Sequence, residues 1–340
     1  MIFASVYAAG SGMKVGVVGM GAVGGLLAGW IGSRVAGIAL SALARGDTLQ
    51  ALRRHGVRLQ TNDGVRAVPL QASDSAEELG TQDLIIVAVK APALPAIAPA
   101  VGAMCHEQTQ VLVAMNGVPW WFFDGLPGRC EGLPVRCVDP QGHIAAAIPT
   151  RSVVGCVVHF SSIALEPGLI RQVNGNTLII GAPAGGSSPR VHALSELLVG
   201  AGLSVTVSDR IQRDIWFKLW GNMTMNPISA LTGATSERIL DDPLVRSFCG
   251  AVMLEAREIG AAFGIPIDQE PEQRYAITRK LGAFKTSMLQ DAEAGRPLEL
   301  DAMLGAVREI GQHLGLVTPN IDALFGLTRL MAQQRRLYPS

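Results

Sequence analysis

Residues 14–24 of the chain, Lys14-Val15-Gly16-Val17-Val18-Gly19-Met20-Gly21-Ala22-Val23-Gly24, decide its fold. The apolar run 14–18 predicts a buried β-strand, and the glycines that follow turn the chain into an apolar helix that starts at Gly25. Gly19 permits the tight turn, Gly21 lets backbone approach a pyrophosphate, and Gly24 lets helix pack on strand. The helix N-terminus offers N–H groups and a positive dipole end to phosphates. The stretch therefore predicts a dinucleotide-binding loop made of Gly19, Met20, Gly21, Ala22, Val23 and Gly24.

The second apolar run, residues 38–44, ends where such domains place the residue that selects between NAD and NADP. An Asp or Glu there binds the ribose 2′-hydroxyl of NAD, but this chain has Arg45, whose guanidinium suits a 2′-phosphate. Asp47 leaves two alternatives open, a displaced ribose ligand or a cap for a helix over residues 48–55. The pattern favours NADP, with Arg45 as a cofactor ligand.

Length and composition define the class of protein. The chain has 340 residues, enough for two domains, and 49% of them are hydrophobic. Its 28 basic and 28 acidic residues balance, which leaves no basic excess for nucleic acid. The five cysteines are scattered without a CxxC pair, and the six histidines show no spacing for a metal or a His–Asp proton relay. We expect a soluble protein with neither a disulfide framework nor a bound metal.

Targeting signals are not expected in this sequence. Residues 1–12 contain neither a charged start nor a long apolar core, so they resemble a loose extension, and Met13 is an alternative start. No stretch reaches the roughly twenty apolar residues of a membrane helix. We expect a cytoplasmic protein that binds neither membrane nor nucleic acid.

The first half of the chain alternates between strand and helix patterns. Strands are predicted near 14–18, 38–43, 84–89 and 111–114, with helices between them. Continuous apolar runs are typical of parallel strands buried on both faces, which indicates a doubly wound, Rossmann-type sheet. Further strands at 156–163, 168–173 and 176–181 are predicted to extend one edge in antiparallel fashion, before a helix at 191–200 and a last strand at 203–207.

From residue 208 onward the pattern is that of long amphipathic helices. They are predicted at 209–231, 243–263, 270–294 and 299–315, with a final helix after Pro319. The sequence thus predicts an NADP-binding domain over residues 13–207 and a helical substrate and dimerisation domain over residues 208–335. Substrate is expected at the carboxyl ends of the strands, and the apolar helices permit a homodimer.

A polar stripe interrupts the apolar helix predicted at 209–231. Lys218, Asn222 and Asn226 recur every four residues and so share one face. The alternatives are a solvated surface lysine and asparagines that cap the helix or are satisfied in the core. Asparagines are poor mid-helix residues, so their alignment with the lysine favours a lined cleft. A partly desolvated lysine has a lowered pKa and can donate a proton to a carbonyl oxygen, while the amides hold substrate oxygens.

Six motifs in order resemble those of the ketopantoate reductases, also called 2-dehydropantoate 2-reductases. They are Gly-Met-Gly-Ala-Val-Gly at 19–24, Val-Lys-Ala at 89–91, Asn-Gly at 116–117, the Lys-x3-Asn-x3-Asn stripe, Ser-Met-Leu-Gln-Asp at 287–291 and Glu-Leu-Asp at 299–301. The resemblance covers residues 13 to about 315. It implies an NADPH-dependent reduction of ketopantoate, a small 2-oxo acid, to pantoate in pantothenate biosynthesis.

The resemblance also implies roles for individual residues. Lys218 is the general acid and Glu299 orients lysine and substrate; Asn222, Asn226 and Ser287 bind the substrate; Lys90 and Asn116 contact the cofactor; and Arg45 takes the 2′-phosphate. Plainer interpretations remain for four of them. Lys90 also fits the solvent edge of the sheet, Asn116 a turn, Glu299 a first-turn carboxylate, and Ser287 an ordinary helix serine.

Two stretches depart from the family pattern. The bulky apolar run 118–123 follows Asn116-Gly117, and the strand at 157–162 lacks the Thr-His-Gly-Ala run of many members. The aromatic run Trp120 to Phe123 therefore makes a reductase of another 2-oxo acid one alternative. A non-catalytic protein that senses the NADP redox state is a second alternative, and it needs neither Lys218 nor Glu299.

Overall fold

The computed structural model of the protein describes residues 12–280 and 282–339, which fall into two compact units. Unit 1 contains the chain up to Met115 and Gly142–Asp214, and unit 2 contains Asn116–Gln141 and the chain from Ile215 onward. This division differs from the two ranges expected from the sequence, because residues 116–141 belong to unit 2. The loose extension expected over residues 1–12 lies, except for Gly12, outside the described residues.

A mixed sheet of ten strands forms the centre of unit 1 within the described residues. The strands are β1 Met13–Val18, β2 Ile38–Leu43, β3 Val57–Thr61, β4 Gly64–Val68, β5 Gln71–Ser73, β6 Leu84–Val87, β7 Gln110–Val113, β8 Val153–Glu166, β9 Leu169–Gly181 and β10 Ser204–Val207. They lie in the order β4-β3-β9-β8-β7-β6-β1-β2-β5, and β10 pairs with β9. All neighbours from β8 to β5 are parallel, which confirms the predicted doubly wound sheet.

The helices of unit 1 cover this sheet. They are α1 Ala22–Arg34, α2 Gly46–His55, α3 Ala76–Leu79, α4 Leu94–Ala103, α5 His143–Ala147 and α6 Pro189–Gly200. Helix α1 approaches β9 and β3 through glycines, since a Cβ built on Gly25 would lie 2.7 Å from Ile170 and one on Gly29 would lie 2.6 Å from Leu59. Close packing of this kind fixes the direction of the helix N-terminus.

Strand β9 corrects one prediction. The strands expected at 168–173 and 176–181 are a single strand that pairs antiparallel with β8. Gly175 (φ +71°), which looks like a turn residue in the sequence, lies opposite a register shift between His159 and Ser161. A Cβ on Gly175 would come within 2.7 Å of the His159 carbonyl oxygen, so the glycine marks a β-bulge and not a turn.

The sheet also extends further than the sequence predicted. Strand β9 is not at its edge, because β3 pairs in parallel with β9 and β4 pairs antiparallel with β3. The hairpin turn lies at Asn62-Asp63, followed by Gly64 at φ +122°. The half-polar strands flanking it resemble loop sequence, and this is why they were missed.

Unit 2 is helical. Its helices are α7 Ile211–Thr232, which begins in unit 1, then α8 Ser236–Asp241, α9 Pro243–Ala262, α10 Pro271–Lys280, α11 Ser287–Glu293, α12 Ala306–Leu314 and α13 Pro319–Gln334. A π-helical turn, Asp301–Gly305, leads into α12. None of the described helices has the length and apolar character needed to cross a membrane.

The single helix predicted over 270–294 is wrong. Helix α10 ends at Lys280 and α11 begins at Ser287, with Gly282 in the left-handed region (φ +73°) between them. Thr286 caps α11, since its hydroxyl oxygen accepts a hydrogen bond of 3.2 Å from the Leu289 N–H. A glycine stop and a threonine cap therefore break the helical pattern.

The apolar run after Gly117 is part of the core of unit 2. Phe122 and Phe123 are fully buried and pack edge to face against Phe263, with ring centroids 5.9 and 5.3 Å apart. Trp216 of α7 joins the cluster at 4.8 Å from Phe263. Such aromatic packing explains why residues 116–141 belong with the helices. It also assigns the run a packing role within unit 2.

Candidate active site

The glycine loop of unit 1 has the geometry that its sequence suggests. Gly19 has φ +98°, and a Cβ there would lie 2.7 Å from the backbone of Ala88 and Val89. A Cβ on Gly24 would lie 2.1 Å from the Gly19 carbonyl oxygen. By contrast, a Cβ on Gly21 would meet nothing within 4 Å. Two glycines are thus required by the fold itself, and the third faces open space of the kind a pyrophosphate needs.

Helix α1 begins at Ala22, three residues before the predicted start. Its N-cap is Gly21, without a side-chain cap, and its first turn carries no acidic residue. Ala22 and Val23 therefore lie in a first turn with no carboxylate to offset the positive dipole end. The residues present here fit a bound dinucleotide phosphate.

Two basic residues follow strands that flank β1. Val18 at the end of β1 is paired with Leu43 of β2 and with Val87 of β6, so residues after these strands share one edge of the sheet. Arg45 is exposed at the N-cap position of α2, and Lys90 is half-buried at the start of a 3-10 turn. Both cations stand on the same edge as the glycine loop, where a nucleotide phosphate is expected.

Asp47 does not cap a helix. Helix α2 begins at Gly46, its N-cap is Arg45, and Asp47 lies inside the first turn. A carboxylate in that turn is favoured by the helix dipole. The capping interpretation is therefore wrong, and the carboxylate stands two residues beyond Arg45.

Lys218 and Asn116 meet in unit 2. The Lys218 ammonium donates a hydrogen bond of 3.0 Å to the Asn116 side-chain oxygen, across 102 residues of sequence. Lys218 and Asn222 are half-buried on α7, and Asn226 is 6% exposed. A fully solvated lysine does not match this arrangement. The ammonium is held at a defined position by a neutral acceptor.

The turn at Asn116-Gly117 is held by the π-helical turn. Gly117 has φ +83°, and a Cβ on it would lie 2.5 Å from the Ala302 carbonyl oxygen. The Val118 N–H donates a hydrogen bond of 2.7 Å to the same oxygen. The turn interpretation of this motif is therefore correct, and the turn presents the Asn116 amide to Lys218, a contact that the sequence did not predict. Single π-helical turns, such as the one that contains Ala302, are frequent at functional sites.

Asn226 meets the other end of the predicted site. Its amide nitrogen lies 3.5 Å from the Ser287 hydroxyl and 3.8 Å from the Met303 sulfur. Ser287 is the first residue of α11 and is exposed, since the Thr286 cap starts the helix just before it. Two of the predicted substrate ligands, from α7 and α11, are thus in contact.

Glu299 is buried, with 7% of its surface exposed, and directly precedes the helical segment that begins at Leu300. The C-terminal segment holds it on both sides. The Leu298 N–H donates a hydrogen bond of 3.0 Å to the Leu337 carbonyl oxygen, and the Tyr338 hydroxyl donates one of 2.6 Å to the Asp301 carboxylate. Burial raises the pKa of the Asp301 carboxyl, and the hydrogen bond from Tyr338 opposes that shift.

Several contributors to this region were not predicted. They are the π-helical turn, Met303 and Tyr338. Met303 contacts Asn226 across 77 residues of sequence and Tyr338 contacts Asp301 across 37, and no periodic pattern marks either residue. The turn at Gly117 could be recognised in the sequence, because Asn-Gly is a typical turn dipeptide.

Comparisons with known proteins agree along nearly the whole chain. The model of the ketopantoate reductase PanE/ApbA family matches residues 15–185, and that of the ketopantoate reductase PanE/ApbA C-terminal domain matches residues 210–332. A 2-dehydropantoate 2-reductase of Mesorhizobium japonicum is 43% identical over 331 residues, which cover 96% of this chain and 100% of that protein.

Solved structures resemble the chain as well. The crystal structure of a ketopantoate reductase candidate from Ralstonia solanacearum MolK2 is 55% identical, has a TM-score of 0.92 and covers 96% of this chain and 100% of its own. D-mandelate dehydrogenase with NADH and anilino(oxo)acetate is 20% identical, with a TM-score of 0.80 and coverage of 95% and 100%, and it shares the fold. The chain belongs to the ketopantoate reductase family, pyridine-nucleotide-dependent oxidoreductases that act on a keto group.

Proposed function

We propose that the protein reduces 2-dehydropantoate (ketopantoate) to pantoate with NADPH, a step of pantothenate biosynthesis. The observation that carries the proposal is the hydrogen bond of 3.0 Å that Lys218, on the polar stripe of α7, donates to the side chain of Asn116. A half-buried ammonium held by a neutral amide is suited to protonate a developing alkoxide. Family membership supports the same reaction.

The proton comes from Lys218 in this proposal. A bound dihydronicotinamide supplies the hydride that the keto carbon accepts. Lys218 gives one ammonium proton to the keto oxygen, so the product carries a new C–H and a new O–H bond. Asn116 keeps the ammonium aligned by accepting another of its protons, and this lowers the reorganisation needed for transfer.

The remaining predicted residues hold the substrate. Asn222, Asn226 and Ser287 offer amide and hydroxyl groups, which can bind hydroxyl and carbonyl oxygens without adding charge. Glu299 brings a buried carboxylate to the start of the π-helical segment. Its role in this proposal is to orient Lys218 and the substrate.

NADPH is favoured over NADH because Arg45 and Lys90 stand beside the glycine loop on one sheet edge. Residues 19–24 would hold the pyrophosphate, and Arg45 the 2′-phosphate. A comparison of kcat/KM for NADPH and NADH tests this preference. Equal values for the two cofactors would contradict it.

Turnover with ketopantoate and NADPH tests the reaction. We expect Lys218→Ala to lose activity by about 10²- to 10⁴-fold, the range for a general acid. Lys285→Ala is the matched control, because Lys285 is a surface lysine paired with Glu293 at 2.7 Å. A Lys218→Ala variant that keeps most activity would contradict the assignment.

The two alternative functions are separated by the same assay. The aromatic run that suggested another 2-oxo acid is buried, and its Phe122 and Phe123 pack against Phe263, so it no longer favours that alternative. A lower kcat/KM for ketopantoate than for other 2-oxo acids would nonetheless restore it. NADPH binding without turnover of any oxo acid would instead favour a redox sensor.

The homodimer belongs to the proposal as well. Leu327 and Leu330 lie three residues apart on α13 and are 60% and 56% exposed, which leaves apolar surface on that helix. Light scattering at micromolar concentration should give twice the mass of one chain. A monomer mass would contradict the dimer and leave the reaction untouched.

A further inference from the structure

Arg274 extends from α10 across the surface of α7. A Cβ built on Gly221 would lie 2.7 Å from the Arg274 Nε atom and 2.8 Å from one terminal nitrogen. The guanidinium carbon is 5.8 Å from the centre of the Phe217 ring. The guanidinium therefore lies against the backbone of α7, and a Cβ at position 221 would force it to shift.

This guanidinium lacks a counter-charge in the part of the chain that the structure describes. Its Nε atom is buried without a hydrogen-bond partner there, and none of the ion pairs between described residues includes Arg274. Burial lowers the pKa of Arg274. A desolvated cation of this kind is costly unless an anion compensates it.

Gly221 ties Arg274 to the polar stripe. It follows Lys218 by three residues and precedes Asn222, and residues three apart are neighbours on a helix surface. The guanidinium consequently borders the stripe on the side of Lys218. Phe217 and Gly221, four residues apart, form the surface on which it rests.

A 2-oxo acid carries a carboxylate next to its keto group, and the predicted substrate ligands do not provide for that charge. Asn222, Asn226 and Ser287 are neutral, Glu299 is an acid, and Lys218 is engaged with the keto oxygen. We propose that Arg274 is a substrate-binding residue that pairs with the carboxylate of the 2-oxo acid. This inference rests on the proposed function, and a planar guanidinium is the side chain best matched to a carboxylate.

Substrates with and without the carboxylate test the proposal. We expect Arg274→Met to raise KM for ketopantoate by roughly 10- to 100-fold, the loss expected for a charge-assisted hydrogen bond. KM for NADPH should stay the same, and Arg274→Lys should recover part of the loss. The neutral ketopantoyl lactone should be reduced equally well by parent and Arg274→Met.

Equal loss on ketopantoate and on the lactone would overturn the proposal, since it would indicate a structural role. An unchanged KM for ketopantoate, or a raised KM for NADPH alone, would also overturn it. Thermal unfolding of each variant checks that the fold is retained. A parent protein that does not turn over ketopantoate would refute the proposed function, whereas an active parent with an unimpaired Arg274→Met variant refutes only this inference.

Gly221→Ala provides a second, independent variant. The added methyl group would lie 2.7 Å from the Arg274 Nε atom and so displace the guanidinium. Alanine itself favours the helix by about 0.5–1 kcal/mol. We expect this variant to raise KM for ketopantoate without loss of thermal stability. In the Arg274→Met background the same change should add nothing, because its target is already gone. An equal further rise in KM in that background would contradict the pairing.

Discussion

The glycine loop of unit 1 and the polar stripe of unit 2 are built in opposite ways. In the loop the backbone makes the site: Gly24 is fixed by its close approach to Gly19, and Gly19 by its approach to Ala88 and Val89, directly after β6. In the stripe the side chains make the site, and Lys218 meets Asn116 across 102 residues while Asn226 meets Ser287 across 61. A backbone site can therefore be predicted from one short stretch, whereas a side-chain site depends on the whole tertiary fold.

The two regions should also respond differently to mutation. A backbone site fails where an added Cβ would meet other backbone atoms, as at Gly19 and Gly24, because those atoms cannot move aside. A side-chain site loses function in steps, one interaction at a time. The following predictions test that contrast.

The largest effect is expected for Gly24→Val. Its Cβ would lie 2.1 Å from the Gly19 carbonyl oxygen, so the loop cannot form and NADPH binding should be abolished. Gly21→Ala is the control, since its Cβ meets nothing within 4 Å and the fold should be kept while nucleotide affinity falls. NADPH titration together with thermal unfolding measures both. A Gly24→Val variant that binds NADPH as tightly as the parent protein would contradict this difference between the two sites.

Phe123→Ala tests the packing that supports the stripe. The side chain is fully buried against Phe122 and Phe263, so its removal should lower the free energy of unfolding by about 3–5 kcal/mol. Leu244→Ala is the control, because Leu244 is 80% exposed. Denaturant unfolding of the two variants gives the comparison, and equal losses would show that the cluster is not a core.

Asn116→Ala should lower kcat by roughly 10- to 100-fold, because Lys218 loses a charge-assisted acceptor. Asn176→Ala removes an asparagine hydrogen bond of 3.1 Å to the Gly202 carbonyl elsewhere in the chain and should leave kcat unchanged. Steady-state kinetics with ketopantoate would reveal the difference. A change in the KM for NADPH alone would indicate that Asn116 serves the cofactor, as the family resemblance implies.

Arg45→Ala should lower kcat/KM for NADPH by about tenfold. This is the lower end of the range for a charge-assisted hydrogen bond, because the Arg45 side chain is exposed. The value for NADH should stay within about twofold, because the 2′-phosphate is absent. Equal losses with both cofactors would show that Arg45 acts on a group they share.

The smallest effect is expected for Tyr338→Phe. Loss of its hydrogen bond of 2.6 Å to Asp301 should lower the free energy of unfolding by about 1 kcal/mol. The same variant should lower kcat modestly, since the C-terminal segment holds the residues on either side of Glu299. An unchanged unfolding curve would mean that this contact contributes nothing.

The contrast also explains what the sequence could and could not predict. The loop, strands β1 and β2, and the polar stripe follow from local patterns, since glycine geometry and apolar periodicity are set by neighbouring residues. The Asn116 contact with Lys218 was not predicted, because it depends on a turn at Gly117 that binds a π-helical turn 185 residues later in the chain. The break between α10 and α11 was missed because Gly282 and Thr286 interrupt a continuous helical pattern by only a few residues.

Single-turnover oxidation of NADPH, with ketopantoate and NADPH both saturating, tests the central claim most directly, because it isolates proton and hydride transfer from binding. For Lys218→Ala we predict a rate lower by about 10²- to 10⁴-fold, with the affinity for NADPH retained. A rate equal to that of the parent protein would contradict Lys218 as the proton donor.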